Sequence, residues 1–250
     1  MQATTSVLAA LTITLMMSAC AATKVDAKEH TRVSATATKN FQVFSDPAVA
    51  PLADAVAKGD VARIRALAPT TDLSARGDKN VTLLEWAIFN QQPKALQALL
   101  DAGADPTLIG MDNETVVHMA AMVDPPEYLQ ILINNKVPVD IARPTNGWTP
   151  IFVAAKYRQS TQLDLLIKAG ADVTHTDKLG NTALFSVGND ADNALKLLHA
   201  GTDPRTKNNA GRTFQSSYFM TDEQLLNAEG KAGREKVRAW LTSHNVPIEQ

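Results

Sequence analysis

The feature that most constrains this chain is a threonine in front of an apolar pair that returns at a nearly constant interval. Thr82, Thr115, Thr149, Thr182 and Thr213 follow one another at spacings of 31 to 34 residues. So regular a spacing indicates one supersecondary unit stacked on itself, because such a unit buries its apolar face only against its neighbours. The sequence therefore predicts a repeat solenoid.

Each unit carries the signals of two short helices. Threonine is a good N-cap acceptor, so a first helix is expected to start directly after it, and Pro150 behind Thr149 suits the first helical position. In the third unit a second helix is expected from Thr161 to Lys168, where leucine and isoleucine recur at helical spacing. The predicted unit is thus a helix-turn-helix.

A glycine ends the second helix of several units. Gly103, Gly170 and Gly201 hold this place, where glycine adopts the left-handed conformation without a Cβ penalty, and Lys136 replaces it in one copy. Two residues later stand Asp105, Asp172 and Asp203, which are expected to hydrogen-bond the backbone of the turn. The stretches NGW at 146–148 and LGN at 179–181 then supply glycine-bearing hairpin tips.

These features resemble the ankyrin repeat. The stretch NGWTPIFVAAKYRQSTQLDLLIKAGADV, residues 146–173, is similar to the family pattern throughout, and the resemblance covers about residues 47–250. It implies an all-α repeat solenoid, in which ankyrin helix-turn-helix units are joined by β-hairpin-like loops. About six units are expected, including a cap at each end that covers the exposed apolar face of the stack.

The departures from the family pattern are informative. The histidine usual after the first leucine survives only as His118, and Glu85, Phe152 and Phe185 replace it elsewhere. The fourth unit is two residues short before Gly201. The last unit, Arg212 to Pro247, carries an insertion around residues 221–231 and is expected to be the C-terminal cap.

The first twenty residues resemble a bacterial lipoprotein signal. Residues 7–19, VLAALTITLMMSA, are uncharged and too few to span a bilayer, which takes about 20 helical residues, so a cleavable secretion segment is predicted. MSAC at 17–20 is similar to a lipobox, which implies cleavage before Cys20 and diacylation of its thiol. The alternative is a plain secretion signal, and residues 1–6 lack the usual lysine or arginine.

The predicted organisation follows from these signals. It comprises a signal peptide at 1–19, the lipidated cysteine with a flexible tether at 20–46, and the repeat domain at 47–250. Alternatively, Phe41, Val43 and Phe44 dock on the first helix or form a short capping strand. Ala21 in place of aspartate after the cysteine implies the outer membrane, so the domain is expected to face the periplasm.

Composition and motifs exclude several function classes. With 24 basic and 26 acidic side chains the chain offers no field for nucleic acid. Five histidines at unlike positions predict no metal site, and no cofactor motif is found. His118 is expected to be structural, bonding turn backbone between repeats, as the resemblance implies. No nucleophile elbow is present, so no catalysis is expected; a hydrolase using Ser217 or His244 is the least favoured alternative.

The resemblance implies that a protein partner binds at the hairpin tips and the exposed side of the first helices, a concave face. Aromatic, methionine and arginine side chains there suit an interface hot spot. The predicted binding residues are Trp148, Tyr157, Phe89, Met122, Val123 and Arg212. Alternatively, Phe89 and Trp148 fold back onto neighbouring repeats. Trp86 and Trp240 are expected to pack in the core.

We therefore predict a monomeric, non-enzymatic protein-binding module that touches the membrane only through its N-terminal lipid. Two specific roles compete, an immunity-type inhibitor of a secreted toxic effector and an envelope scaffold. Repeat surfaces vary independently of the fold, so the sequence does not identify the partner.

Overall fold

The computed structural model describes residues 43–249. The predicted signal peptide, Cys20 and nearly all of the tether lie outside the described residues. Within 43–249 no helix is both long and apolar enough to cross a membrane.

The described residues form helix pairs in series. The helices are α1 (Ala50–Lys58), α2 (Val61–Leu67), α3 (Leu83–Phe89), α4 (Pro93–Asp101), α5 (Val116–Met122), α6 (Glu127–Asn134), α7 (Pro150–Lys156), α8 (Ser160–Lys168), α9 (Ala191–His199), α10 (Gln215–Tyr218) and α11 (Ala228–Ser243). Each of the first four pairs packs internally and against the next unit. Their apolar faces merge into one continuous core, as expected of a stack of units that cannot bury their faces alone.

The loops between units are hairpin-like turns without strands. The N–H of Arg143 donates to the carbonyl of Trp148 at 2.8 Å, and the N–H of Asp177 to that of Asn181 at 2.9 Å. Among residues 43–249 only one isolated bridge forms, between Arg76 and the residue six positions later. The predicted all-α solenoid is confirmed.

The helix terminators also behave as predicted. Gly103, Gly170 and Gly201 have φ of 90°, 86° and 104°, and Lys136 takes the same left-handed conformation at 58°. The carboxylate of Asp172 accepts the N–H two residues on at 2.8 Å, and its counterparts in two other units do the same. These turns therefore follow directly from local sequence.

The expected threonine caps form in only part of the stack. The Thr82 hydroxyl accepts the N–H of Glu85 at 3.1 Å, and the Glu85 carboxylate accepts the N–H of Thr82 at 2.8 Å. The hydroxyls of Thr149 and Thr182 are buried without a hydrogen-bond partner, so the prediction is wrong there. The amide that would donate, that of Phe152 in the third unit, bonds to the backbone carbonyl of Thr149 instead.

The fourth unit differs most from its neighbours. Its missing residues are taken from the first helix, which shrinks to a 3₁₀ turn at Ala183–Ser186, and Gly188 follows with φ of 59°. The second helix of this unit, α9, keeps its full nine residues and packs against α11. The short unit is therefore accommodated by losing a helical turn rather than by tightening the connection between helices.

Both ends of the described stack are covered. At the N-terminal end Phe44 is buried edge-on against Trp86, with ring centroids 6.1 Å apart, and the carbonyl of Val43 accepts the N–H of Asp78. Val43 and Phe44 therefore pack on the stack through α3 and the loop before it, and packing begins before residue 47; docking on the first helix stays a prediction. At the other end α11 covers the stack with buried Val237 and other apolar side chains.

Candidate partner-binding face

The candidate face consists of the hairpin tips, near residues 78–80, 112–114, 145–148, 178–181 and 208–212, together with the exposed ends of the first helices. The last three tips are tied to one another through their backbones. The N–H of Lys178 donates to the carbonyl of Asn146 at 2.9 Å, and the N–H of Asn209 donates to that of Leu179 at 2.8 Å. The tips therefore hold their side chains on a hydrogen-bonded support.

His118 connects the second and third tips. Its Nδ1 accepts the N–H of Thr115 at 3.2 Å, and its Nε2 lies 3.0 Å from the carbonyl of Trp148 and donates to it. Burial lowers the pKa of His118 to about 4, while the bond to the Trp148 carbonyl opposes this shift. The ring is therefore neutral at neutral pH, and its predicted structural role is confirmed.

Glu85 links two neighbouring units in the same way, one unit earlier than His118. Besides capping its own helix, its carboxylate lies 3.3 Å from the N–H of Met111 and accepts it. Burial raises the pKa of Glu85 above its usual value, and the backbone bonds from Thr82 and Met111 oppose the shift. A carboxylate thus replaces the family histidine as the link between neighbouring units.

A mostly buried ion pair lies beside these links. Arg143 bonds to the carboxylate of Glu114, and its guanidinium stands 5.7 Å over the ring of Trp148. Burial raises the pKa of Glu114 to about 7, against the attraction of Arg143. The charged groups in this part of the face therefore pair with each other instead of facing a partner.

Two of the predicted binding residues are engaged in packing. Trp148 is partly buried, stacks on Phe152 with centroids 5.8 Å apart, and donates its indole N–H to Asp177 of the next unit at 3.1 Å. Phe89 stacks on Trp86 at 5.5 Å with the rings nearly parallel. Trp148 therefore folds back onto the next unit, as in the alternative considered above, whereas Phe89 stacks within its own helix. A contribution from either ring to partner binding stays a prediction.

Of the other four predicted residues, two are partly buried and two are exposed. Met122 and Val123 are partly buried, and their carbonyls accept side-chain N–H groups from the next unit. Arg212 is exposed at the last tip, and Tyr157 is 52% exposed at the end of α7. Of the predicted stripe, Tyr157 is thus the aromatic residue that presents its ring to solvent.

The predicted core tryptophans are partly buried and pack against the core. Trp86 donates its indole N–H to the carbonyl of Ala53 at 3.0 Å, which links the first two units. Trp240 stacks on His244 with centroids 3.8 Å apart.

The three most exposed large apolar residues of the described chain were not among the predicted binding residues. Leu179 is 64% exposed at the fourth tip, and Met220 and Leu225 are each 80% exposed in the last unit. Leu179 carries a detectable signal, since it is the apolar residue of the tip sequence LGN. Met220 stands seven residues after Thr213, the same offset that separates Phe89 from Thr82 and Met122 from Thr115.

The residues of the hydrolase alternative are not paired. The Ser217 hydroxyl donates to the carbonyl of Phe214 at 2.9 Å, and Nδ1 of His244 lies 2.8 Å from the carbonyl of Trp240. In the described part of the chain no three histidine, cysteine, aspartate or glutamate side chains are grouped to hold a metal ion.

Comparison with known proteins agrees with this architecture. The family described as ankyrin repeats, in three copies, matches residues 107–177. Protein PhlB of Serratia liquefaciens is 44% identical over 133 residues, which make up 53% of this chain and 59% of PhlB. The chain therefore spans less than two thirds of this relative.

Solved structures are similar over a longer stretch. An ankyrin-repeat domain from Acinetobacter baumannii superimposes with a TM-score of 0.63 at 23% identity, covering 78% of this chain and 97% of that one. A solved complex of a predatory endopeptidase from Bdellovibrio bacteriovorus with an immunity protein contains a chain that superimposes with a TM-score of 0.60 at 25% identity, covering 74% of this chain and 97% of that one. The chain contains ankyrin repeats, and its described residues have the ankyrin-repeat fold.

Proposed function

We propose that this chain is a protein-binding module, lipid-anchored at Cys20 and facing the periplasm, that recognises its partner on the candidate face. Ankyrin repeats imply protein binding, and the observation that carries the choice of face is the exposure of Tyr157 and Leu179. Both are large apolar or aromatic side chains whose exposure nothing in the fold requires.

The support beneath these two residues favours binding. The carbonyl of Leu179 is fixed by the N–H of Asn209, and the N–H of Tyr157 donates to Val153 in the last turn of α7. A side chain whose backbone is already fixed loses less conformational entropy when a partner arrives. Tyrosine is also among the residues that most often dominate an interface energetically.

Site-specific photo-crosslinking tests this proposal. A photoreactive amino acid is placed at position 157 or 179 of the full chain in its host. The matched control site is position 94, because Lys94 is exposed on α4, away from the hairpin tips and the first helices. We expect one protein to be captured from both face positions and not from position 94. Capture from position 94 alone would refute the proposed face.

The second candidate is the immunity-type inhibitor, and the solved complex of an endopeptidase with an immunity protein favours it. On this hypothesis the partner is a toxic secreted enzyme. Deleting the gene for this chain should then be lethal or strongly growth-limiting, and removing that one enzyme should restore growth. If the deletion strain grows normally while the captured partner remains active, the chain is not an immunity factor and the scaffold role is favoured.

The anchor is tested separately. Cys20→Ser should shift the chain from the membrane fraction to the soluble periplasmic fraction, because two or more acyl chains are what give stable anchoring. Ala21→Ser serves as the control and should leave the chain in the membrane fraction. A parent chain that fails to incorporate labelled palmitate, or a Cys20→Ser chain that still incorporates it, would contradict lipidation at this residue.

A further inference from the structure

The last unit presents a loop that the fold itself does not require. Residues 219–227 connect α10 to α11, and Met220 and Leu225 within it are each 80% exposed. Both are more exposed than Tyr157 or Leu179. Large apolar side chains held in solvent suit an interaction surface, particularly where two occur within one short segment.

The base of this loop is firmly held. The ring of Phe219 meets buried Tyr218 edge-on, with centroids 5.1 Å apart. The guanidinium of Arg234 stands 5.6 Å from the centroid of Phe219, and that of Arg238 stands 5.2 Å from it. Arg234 itself is buried. The loop thus starts from a packed aromatic and cationic cluster.

The tip of the loop is ordered as well. The carboxylate of Asp222 accepts the N–H of Gln224 at 2.9 Å, and its carbonyl accepts the N–H of Leu225 at 3.0 Å. Glu223 begins a short 3₁₀ turn, with its carboxylate 3.6 Å from the guanidinium of Arg238. Because the loop is already shaped, seating its apolar side chains in a partner costs little ordering entropy.

A cleft of about 400 Å³ adjoins the loop. Arg158, which directly follows Tyr157, lines one part of it, and Asn227, two residues after Leu225, lines another. Its charged lining comprises the acidic residues Asp190, Asp192 and Glu229 and the basic residues Arg158 and Lys236. The lining of the cleft is therefore slightly more acidic than basic, and it extends from the end of the loop at Asn227 to Arg158 beside Tyr157.

We infer that loop 219–227 enters a protein partner, with Met220 and Leu225 seated in an apolar pocket whose rim carries lysine or arginine. The basic rim follows from charge, since Asp222 stands between the two apolar side chains and forms no ion pair within the described residues, whereas Glu223 is paired with Arg238. This inference rests on the proposed protein-binding function and identifies the segment that does the inserting. In the inhibitor role, the loop would occupy a cleft of the enzyme.

The same charges disfavour other occupants. An anionic lipid surface would be repelled by Asp222 and by the acidic side of the cleft. A second copy of this chain docking through the same loop would bring two Asp222 carboxylates together, which opposes association of loop with loop. A basic protein surface is the occupant that complements the loop.

Photo-crosslinking at positions 220 and 225 of the full chain in its host gives the first measurement, with positions 157 and 179 as the reference. The inference requires that the protein captured from the reference positions is also captured from 220 and 225. The crosslinked peptides should carry lysine or arginine beside apolar residues. Capture of lipid or of a second copy of this chain from 220 and 225 would overturn it.

Affinity for the captured partner, purified, gives the second measurement. Met220→Ser combined with Leu225→Ser should weaken binding about tenfold or more, since a few anchors dominate an interface. Gln224→Ser is the matched control in the same exposed loop and should change the Kd less than about twofold. The melting temperatures of all variants should match the parent, because none of these side chains is buried.

Charge gives the third measurement. Asp222→Asn keeps a side-chain oxygen for the N–H of Gln224 and removes the negative charge. The association rate should fall severalfold at low salt and converge with that of the parent at high salt.

The outcomes separate the two proposals. If positions 157 and 179 capture a protein while 220 and 225 do not, and the double serine variant binds it as tightly as the parent, the loop inference fails and the protein-binding function stands. If none of the four positions captures a protein, the proposed function fails and the loop inference fails with it.

Discussion

The middle and the end of the stack use their charged side chains in different ways. In the second and third units, His118, Glu114 and Arg143 are turned inward, and their polar groups hold one hairpin tip to the next. In the last unit Arg234 and Arg238 stabilise the base of a loop whose apolar residues point outward. Charge in the middle therefore stabilises the stack, whereas charge at the end presents a surface.

The comparison teaches that an aromatic residue on the candidate face is not by itself a binding residue. Trp148 has the composition of a hot spot but donates its indole N–H to Asp177 and lies beneath a guanidinium. Leu179, a less conspicuous residue one unit later, is the one left open to solvent. Recognition should therefore concentrate toward the C-terminal half.

The largest expected effect comes from breaking the buried pair in the middle. Arg143→Met leaves the Glu114 carboxylate buried without its cation and should lower the free energy of unfolding by about 3 kcal/mol. Lys58→Met, which breaks an exposed ion pair with Asp54, is the control and should leave the urea midpoint unchanged. Equal midpoints for the two variants would show that the buried pair does not hold the tips together.

The pH dependence of stability should reveal two opposed groups in the middle of the stack. The Glu114 pKa is raised to about 7, so its contribution makes stability fall as pH rises from about 4.5 to 7. The His118 pKa is lowered to about 4, so its contribution makes stability fall as pH drops from about 6.5 to 4. Between pH 4.5 and 6.5 the two slopes oppose each other, each at up to about 1.4 kcal/mol per pH unit.

Single variants should separate these slopes. His118→Gln retains a capping-box side chain. Its free energy of unfolding should fall more steeply with rising pH over this window than that of the parent, because only the Glu114 contribution remains. The free energy of unfolding of Glu114→Gln should instead rise with pH over the same window, because only the His118 contribution remains. Urea unfolding at pH 4.5, 5.5 and 6.5 measures both, and parallel curves for all three proteins would contradict the assigned pKa shifts.

Binding should distinguish the open residue from the packed one. Tyr157→Ala should weaken partner binding by about 2 kcal/mol if Tyr157 is a hot spot, without changing the melting temperature, because the ring is mostly in solvent. Trp148→Ala should lower the melting temperature, since it loses stacking on Phe152 and the bond to Asp177. Unchanged affinity for Tyr157→Ala would move the binding site off the end of α7.

The smallest expected effect concerns the threonine caps. Thr149→Val replaces a buried hydroxyl that has no partner with a group of the same shape, and should be neutral or stabilising by up to about 1 kcal/mol. Thr82→Val removes a working cap and should cost about 1 kcal/mol. Thermal unfolding of both variants checks the contrast, which would fail if Thr149→Val were the more destabilising.

The sequence was sufficient wherever structure depends on neighbours along the chain. The left-handed conformation of Gly170 and the turn at Asp172 follow from residue types within a few positions, and the spacing of the threonines was enough to predict the stack. The orientation of Trp148 could not be predicted in this way. It depends on Asp177, which lies in the next unit and comes into reach only after the units have stacked.

The same limit applies to exposure. Spacing placed Tyr157 correctly at the open end of a first helix. The loop at 219–227, by contrast, was expected only as part of an insertion around residues 221–231, because its course depends on Arg234 and Arg238 folding back from α11 onto Phe219. Contacts between segments of an irregular unit have no repeat to predict them.

The 3₁₀ turn at Ala183–Ser186 has a consequence for cooperativity. A stack of repeats is stabilised by the interfaces between adjacent units, and the fourth unit contributes one turn of 3₁₀ helix where the three units before it each contribute a first helix of seven residues. The segment from this turn onward can therefore open as its own cooperative block, so its amides should exchange with solvent earlier than those of α5 and α7. A partner that binds across this 3₁₀ turn would contact the units on both sides of it, and it should therefore slow amide exchange in the segment that follows the turn.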